Sequence, residues 1–126
     1  MQSEHVYFKP VRLRMHKERP TVLSEFGGYS CMIKEHAFCP KKPYGYRYFE
    51  EQTAFEDALV ALYENEILPA VRQGLSAAVL TQVSDVEDET NGLLTYDRQV
   101  LKVSEERMRK IAEKLRRASE DSIKSK

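Results

Sequence analysis

Two short apolar runs predict strands, and two stretches with helical spacing of apolar residues follow them. Residues 21–25 read TVLSE and residues 76–83 read SAAVLTQV. Neither run alternates, which is the pattern of a strand covered on both faces. The stretches after Thr53 and after Ser104 repeat apolar residues every three or four positions, which predicts two amphipathic helices. The element order is therefore strand, long loop, helix, strand, loop, helix.

Polar, small and cyclic residues indicate where these helices begin and end. Thr53 and Glu56 fit a capping box, in which each side chain satisfies a free backbone donor of the first turn. Pro69 is expected to kink or end the first helix, and Gly74 suits a left-handed C-terminal cap. Ser104 is expected to begin the second helix, because acidic residues follow it at the positive end of the helix dipole.

Strands that alternate with helices favour an α/β fold with a parallel sheet and right-handed crossovers. Residues 1–19 are expected to be an extended flank, because Pro10 removes a ladder donor. Residues 20–118 should form the α/β unit, and residues 119–126 should form a disordered tail.

The segment between the first strand and the first helix is predicted to be a functional loop. Gly27 and Gly28 end the strand, and no regular pattern returns before residue 52. Loops of this length inside a domain are usually functional or disordered, and aromatic rings are costly to leave in water. The rings of this loop are Tyr29, Phe38, Tyr44, Tyr46, Tyr48 and Phe49.

Composition argues against several classes of partner. The chain has 126 residues, 41% of them apolar, and its 20 basic and 20 acidic side chains cancel. A neutral balance disfavours a nucleic acid or an anionic membrane as partner. No apolar run approaches the roughly 18 residues needed to span a bilayer. The start, MQSEHVYFKP, lacks the apolar core of a secretion signal, which slightly favours a cytoplasmic location and leaves the compartment open.

Cys31 and Cys39 lie eight positions apart, with His36 between them. Thiolate and imidazole are zinc ligands, but these residues give only three ligands and no close C-x2-C pair. A disulfide is a second alternative, and free thiols are the preferred interpretation. Neither a metal nor a cofactor is expected.

Polar residues gather where both predicted strands end. Ser24 and Glu25 close the first strand, and Thr81, Gln82 and Asp85 lie at or just after the end of the second. The carboxyl ends of parallel strands are where α/β folds bind ligands. The residues alone thus predict a two-unit α/β piece with acidic groups at one rim.

The motifs SEFGG and TQVSDVEDETNGLLTYDR resemble the C-terminal part of a glycoside hydrolase family 2 catalytic domain. This is the β-galactosidase and β-glucuronidase group, whose catalytic domain is a (β/α)8 TIM barrel. The resemblance extends from about Pro20 to Leu115. It implies that the chain is the C-terminal portion of such a barrel, about its last two β/α units, with residues 21–25 as the seventh strand and residues 76–82 as the eighth.

The resemblance implies a catalytic role for Glu25. The family hydrolyses β-glycosides with retention, and its nucleophile is a Glu in a Glu-aromatic-Gly motif that Glu25-Phe26-Gly27 matches. Retention needs a second carboxyl group roughly 5 Å away as acid and base. The family places it in an Asn-Glu pair after the fourth strand, whereas Asn65-Glu66 falls inside the first predicted helix. The isolated chain is therefore expected to be inactive.

Departures from the family pattern bear on the sugar. Thr81 stands where many relatives carry a Trp beneath the sugar, so stacking is expected from Tyr29, Tyr44 or Tyr46. β-Glucuronidases hold the sugar carboxylate with an Asn-x-Lys pair. The same stretch here reads Glu89-Thr90-Asn91 without a cation, which favours a neutral β-sugar such as a galactoside.

Further substrate contacts are expected from Gln82, Asp85, Glu89 and Asn91 at the rim. Asp85 and Glu89 are expected to shape the rim and are candidate partners of Arg98. The acidic run could also suit calcium, but Gly92 does not fall at the EF-hand position, so that alternative is not preferred.

Three functions remain open from the sequence. The first is the nucleophile-bearing part of a retaining β-glycosidase with a carbohydrate substrate. The second is a non-catalytic carbohydrate-binding module. The third is an assembly module, since unpaired strand edges would lead to a homo-oligomer or would need the rest of the barrel.

Overall fold

A computed structural model describes residues 1–15, 18–42 and 44–124, and it has a parallel sheet at its centre. The sheet contains three strands in the order β1-β2-β5, and a second pair, β3 and β4, lies in the long loop. The bounds of the strands are β1 Gln2–Val6, β2 Thr21–Gly27, β3 Tyr29–Ser30, β4 Arg47–Tyr48 and β5 Leu75–Thr81.

The central strand β2 buries one face rather than both, which corrects the expectation from its apolar run, since Val22 and Ser24 are only partly buried. Leu23 and Phe26 are almost fully buried, and Phe26 meets the ring of Tyr63 edge-on at 5.5 Å. Both neighbours run parallel to β2, with Gln2 opposite Thr21 on one side and Leu80 opposite Phe26 on the other. All three strands therefore point their carboxyl ends to the same rim.

Strand β1 corrects the expectation of an unstructured flank at residues 1–19. Residues 2–6, QSEHV, contain one apolar residue, so the hydrophobic pattern does not reveal them. They form a strand because pairing with β2 satisfies their backbone groups, while the side chains of Ser3 and His5 stay in solvent. Pro10, which motivated the expectation, lies beyond the end of this strand.

The first helical region is continuous from residue 52 to residue 72 but changes its geometry once. It comprises α1 (Gln52–Leu62), a π-helical turn (Tyr63–Ile67) and α2 (Leu68–Arg72). Pro69 was expected to kink or end the helix. Instead it lies in the first turn of α2, directly after the π-helical turn, where a missing backbone N–H is tolerated. Gly74 then turns the chain with a φ of 108°.

The predicted capping box is wrong. The helix begins at Gln52 after Glu51, and no side chain caps it, so Thr53 already lies in the first turn. Glu56 is used elsewhere, because its carboxylate accepts a hydrogen bond of 2.6 Å from the backbone N–H of Ser104. Glu56 therefore joins α1 to the start of the last helix.

The last helix, α3, runs from Glu105 to Lys124 and packs mainly against α2. The disordered tail expected from residue 119 is thus helical through residue 124, while residues 125 and 126 lie outside the described residues. Ion pairs four residues apart, such as Arg109 with Glu105 and Arg116 with Glu120, support this surface. None of the described helices is long and apolar enough to cross a bilayer.

The two outer strands differ in protection. β1 carries Glu4 and His5, and its register with β2 shifts between these residues. β5 has no charged residue, and its exposed positions include Val79 at 53%. The fold is therefore a mixed α/β arrangement around three parallel strands, and its β5 edge is apolar and open.

Candidate functional site

Glu25 lies at the rim, and a tyrosine from the neighbouring strand holds it. Tyr7 follows β1 directly, and its phenol donates a hydrogen bond of 2.6 Å to Glu25 Oε2. The side chain of Glu25 is 45% exposed. Among the described residues, no hydrogen bond reaches its other oxygen, Oε1. One carboxylate oxygen is thus fixed while the other faces outward.

Thr81 completes this cluster from the third strand. Its hydroxyl oxygen lies 3.0 Å from the phenol oxygen of Tyr7. The phenol has one proton and the carboxylate has none, so the phenol donates its hydrogen bond to Glu25. The hydroxyl of Thr81 then donates a hydrogen bond to the phenol oxygen. Tyr7, Glu25 and Thr81 therefore join the carboxyl ends of β1, β2 and β5 in one hydrogen-bonded cluster, here called the rim cluster.

The environment of Tyr7 opposes its ionisation. Burial is the larger cause and the hydrogen bond to Glu25 is the second, and together they raise the pKa of Tyr7 to about 12. The phenol therefore remains a donor to the carboxylate at any pH where the protein works. His5 adds a further polar group, since its Nδ1 lies 3.4 Å from Glu25 Oε2.

The two glycines after Glu25 make room for neighbours that reach the rim. Gly27 has a φ of 91°, and a Cβ there would lie 2.7 Å from Leu80 Cδ1 on β5. Gly28 has a φ of 65°, and a Cβ there would overlap the ring of Tyr46. The backbone N–H of Tyr46 donates to the carbonyl of Gly28 at 2.9 Å. Glycine is therefore required for the loop to fold back over the strand end.

The three tyrosines predicted to stack on a sugar have different positions. Tyr46 lies at the rim, parallel to the ring of Tyr7 at 4.1 Å. Tyr44 is 55% exposed, and its ring centre lies 6.4 Å from that of Tyr46. Tyr29 lines the same cavity as Tyr7 and Tyr46, and the guanidinium of Arg47 covers its ring at 5.5 Å. The structure therefore brings Tyr44 and Tyr46 near the rim cluster and places Tyr29 in the adjoining cavity beneath Arg47.

Gln82, Glu89 and Asn91 form a second polar group after β5. The side-chain amide of Gln82 donates to Glu89 Oε2 at 3.0 Å and to Asn91 Oδ1 at 2.5 Å. Glu89 is exposed, whereas Asn91 is 3% exposed. Of these predicted contacts, Gln82 and Glu89 reach solvent, whereas the buried side chain of Asn91 orients Gln82 through its hydrogen bond.

Asp85 does not reach the surface, and its predicted pairing with Arg98 is wrong. Its carboxylate accepts a bond of 2.6 Å from Lys102 Nζ, and both side chains are almost completely buried, at 2% and 0% exposure. The backbone N–H of Gly92 donates to the same oxygen at 2.8 Å. Burial raises the pKa of Asp85 and lowers that of Lys102, and their hydrogen bond opposes both shifts. Arg98 lies in an exposed turn, with a φ of 60°.

Residues that the sequence did not single out complete the site. His5 belongs to β1 and Tyr7 follows it directly, and the short apolar run Val6-Tyr7-Phe8 was the available signal for the end of a strand. Lys102 had no comparable signal, because a lysine rarely becomes fully buried.

The only Asn-Glu pair lies in the π-helical turn, and Glu66 lines the same cavity as Tyr7, Gly27 and Tyr46. Glu66 Oε2 accepts a hydrogen bond of 2.6 Å from the backbone N–H of Val11, so it anchors the segment after β1.

Cys31 is buried, Cys39 is partly exposed, and both are free thiols. Burial raises the pKa of the Cys31 thiol, so it stays protonated. His36, the third residue of the alternative zinc site, instead bonds Asp97 through Nδ1 at 2.7 Å. Within the described ranges, no group of three or more His, Cys, Asp and Glu side chains could hold a metal ion.

The sequence matches no protein-family model, and a search of curated proteins finds no match to it. A function for this chain therefore has to be argued from its motifs and from the geometry at the rim.

Proposed function

We propose that this chain is the nucleophile-bearing C-terminal portion of the catalytic barrel of a retaining β-glycosidase. Glu25 is the nucleophile, and a neutral β-sugar such as a β-galactoside is the substrate. The observation that carries the proposal is the rim cluster, in which a half-exposed carboxylate at a strand end is held through one oxygen by Tyr7. The resemblance of SEFGG and of the stretch after β5 to glycoside hydrolase family 2 supports it.

The geometry suits attack on an anomeric carbon. A nucleophilic carboxylate has to be ionised and fixed, and a strand end holds it more rigidly than a loop does. Tyr7 and Thr81 hold one side of Glu25, and Oε1 is left to form the bond to the sugar. The adjacent glycines leave the backbone without Cβ atoms, so a ligand can approach closely.

The second carboxyl group of a retaining mechanism is not assigned within this chain. General acid catalysis contributes about 10²–10⁴-fold in rate. The other strands of a (β/α)8 barrel would also supply most contacts to the sugar. We therefore expect the isolated chain not to hydrolyse a nitrophenyl β-galactoside. Hydrolysis that Glu25→Gln abolishes would contradict this expectation.

Binding tests the role of Glu25 in the chain as it is. A galactose-configured iminosugar with its ammonium group at the anomeric position would pair with the carboxylate. It should bind roughly ten- to a hundredfold more tightly than galactose, since a hydrogen bond to a charged group contributes about 1.5–3 kcal/mol. Amide NMR should map the shifts to residues 7, 25–28 and 81.

The matched control is Glu113→Gln, which removes an exposed carboxylate on α3 that has no place in the site. It should retain the preference for the iminosugar, whereas Glu25→Gln should lose it. Equal binding by Glu25→Gln and the wild type, or shifts confined to residues away from the rim, would contradict the proposal.

A second candidate function, assembly through strand pairing, is favoured by the β5 edge. The strand has no charged residue, and Val79 is 53% exposed. Unprotected edges of this kind pair with other strands. In a complete barrel the partner is the next barrel strand, and in the isolated chain it is a second copy.

Val79→Lys should weaken self-association in sedimentation, because a charge on an edge strand opposes pairing. Ser3→Lys on β1 is the control, since that edge already carries the charged residue Glu4, whereas β5 has none. A monomeric wild type at all concentrations would contradict assembly through β5.

A further inference from the structure

Tyr46 comes from the long loop, twenty-one positions after Glu25, yet its ring lies at the rim cluster. It stacks on Tyr7 with the ring centres 4.1 Å apart and the planes 15° apart. Tyr7 in turn donates its hydrogen bond to Glu25. Tyr46 therefore touches the residue that fixes the carboxylate rather than the carboxylate itself.

The position of Tyr46 is itself fixed from three sides. Its backbone N–H bonds the carbonyl of Gly28, and its ring occupies the space that a Cβ on Gly28 would need. The neighbouring residue Tyr44 bonds Asp88 and Thr90 through its backbone, which ties the loop to the segment after β5. The ring of Phe8 meets Tyr46 edge-on at 4.9 Å.

We propose that Tyr46 is a positioning residue for the nucleophile, and that its stacked ring holds the Tyr7 hydroxyl on Glu25. This inference rests on the proposed function for the role of Glu25, while the contact between the two rings stands independently. Stacked aromatic pairs couple by about 0.5–1.5 kcal/mol beyond their buried area. Without Tyr46, the phenol at the end of β1 has the freedom to swing away from the carboxylate.

The inference explains why a second glycine follows Glu25. Gly27 adopts a left-handed conformation against β5, and this alone ends the strand. Gly28 is needed for a different reason, because any side chain there would displace the ring of Tyr46. The SEFGG motif thus specifies both the carboxylate and the site that receives its positioning residue.

The ionisation of Tyr7 tests the contact without any ligand. Burial and the bond to Glu25 raise the pKa of Tyr7 to about 12. Removing the ring in Tyr46→Ala exposes the phenol and loosens that bond, so the pKa should fall toward its ordinary value of about 10. The titration can be followed by NMR of tyrosines labelled at the ring carbon that carries the oxygen, with Tyr7 assigned through Tyr7→Phe.

Two variants serve as controls. Tyr46→Phe keeps the stacked ring and removes only the charge effect of the Tyr46 hydroxyl, the smallest cause of the raised pKa, so it should lower the pKa of Tyr7 far less than Tyr46→Ala does. Tyr44→Ala removes a neighbouring ring that does not stack on Tyr7, and it should leave the titration of Tyr7 unchanged. Amide spectra of each variant establish that the sheet remains folded.

Iminosugar affinity tests the consequence for Glu25. Tyr7→Phe and Tyr46→Ala should each weaken binding roughly tenfold, the factor expected for losing a hydrogen bond to a charged group. If Tyr46 acts only through Tyr7, the double variant should bind no more weakly than either single variant.

Several results would overturn the inference. One is an unchanged pKa of Tyr7 in a folded Tyr46→Ala. Another is a fall of that pKa in Tyr46→Phe as large as in Tyr46→Ala. The third is a loss of iminosugar affinity in the double variant that equals the sum of the two single losses. A wild type that does not bind the iminosugar, combined with a shifted Tyr7 titration in Tyr46→Ala, would instead keep the contact and reject the glycosidase assignment.

Discussion

Glu25 lies near the end of β2 and Asp85 follows the neighbouring strand β5, and the sequence predicts both as rim carboxylates, yet they differ in exposure and in the groups that hold them. The side chain of Glu25 is 45% exposed, and a neutral phenol holds one of its oxygens. The side chain of Asp85 is 2% exposed, and the ammonium of Lys102 together with a backbone N–H holds it. The first is accessible to a ligand, and the second ties the loop after β5 to the segment before α3.

The difference shows that the residue type at a strand end does not determine its role. A buried carboxylate without a cation is costly, and Lys102 supplies that cation while it also donates to the carbonyl of Thr90 at 3.0 Å. A carboxylate held by a neutral donor keeps its full charge at the surface, where a cationic or electrophilic carbon can meet it. The group that holds each carboxylate, and not the carboxylate itself, therefore distinguishes the candidate nucleophile from the structural residue.

The largest expected effect is on the buried pair. Lys102→Met leaves the carboxylate of Asp85 buried without a cation and should lower the free energy of unfolding by about 3–5 kcal/mol. Urea denaturation measures this effect. The double variant Asp85→Leu with Lys102→Met removes both charges and should recover most of the loss. A single variant as stable as the wild type would show that the pair is not buried.

Glu25 should behave in the opposite way. Glu25→Gln keeps an oxygen that accepts the hydrogen bond of Tyr7, so the free energy of unfolding should change by less than about 1 kcal/mol. The same denaturation experiment measures it, and the iminosugar should no longer be preferred. A loss of stability comparable to that of Lys102→Met would make Glu25 a structural residue.

The titration of Tyr7 separates the two causes of its raised pKa. In Glu25→Gln the bond to a charged carboxylate is lost, while burial, the larger cause, remains. The pKa should therefore fall below about 12 and stay above 10. A titration identical to that of the wild type would mean that the two side chains do not touch in solution.

The raised pKa of Tyr7 also makes the stability of the wild type depend on pH. Its stabilising contribution is fully present below the unfolded pKa, so stability should decline as pH rises from about 10 to 12.

The smallest effect concerns a third carboxylate, at the surface. The hydrogen bond from His36, with the backbone N–H of Gln99, lowers the pKa of Asp97 to about 2. His36→Ala should return this pKa toward about 3.9. Its stabilising contribution is present above the unfolded pKa and is lost as pH falls through the folded value. NMR titration of the Asp97 carboxyl carbon measures the shift, and an unchanged pKa would show that His36 is not its partner.

The central elements of the fold were predictable because each carries a local apolar pattern. β2, β5 and the two long helical regions appear close to where that pattern places them, but β5 is exposed along most of its length rather than covered on both faces. β1 was not predictable from its pattern, because QSEHV becomes a strand only through the neighbour that it pairs with. Past residue 119, α3 adds mostly exposed residues, and the ion pair from Arg116 to Glu120 spans this boundary.

The candidate site likewise contains residues that local patterns predict and residues whose position depends on the fold. Glu25 and Thr81 were predicted from the strand ends at which they lie, and the structure joins them through Tyr7. The burial of Asp85 against Lys102 was not predictable, because no spacing rule links two residues that lie 17 positions apart in the sequence. Tyr46 was expected to contact substrate, but its place beside Tyr7 follows from how the loop folds onto Gly28.

Covalent trapping tests the central claim, that Glu25 attacks an anomeric carbon. In a dinitrophenyl 2-deoxy-2-fluoro-β-galactoside the leaving group departs as a phenolate without protonation, so the unassigned general acid is not needed. The account predicts one sugar bonded to Glu25, located by peptide mass spectrometry, in the wild type and in Glu113→Gln but not in Glu25→Gln. A folded chain that acquires no label at Glu25, or that acquires as much in Glu25→Gln, would contradict it.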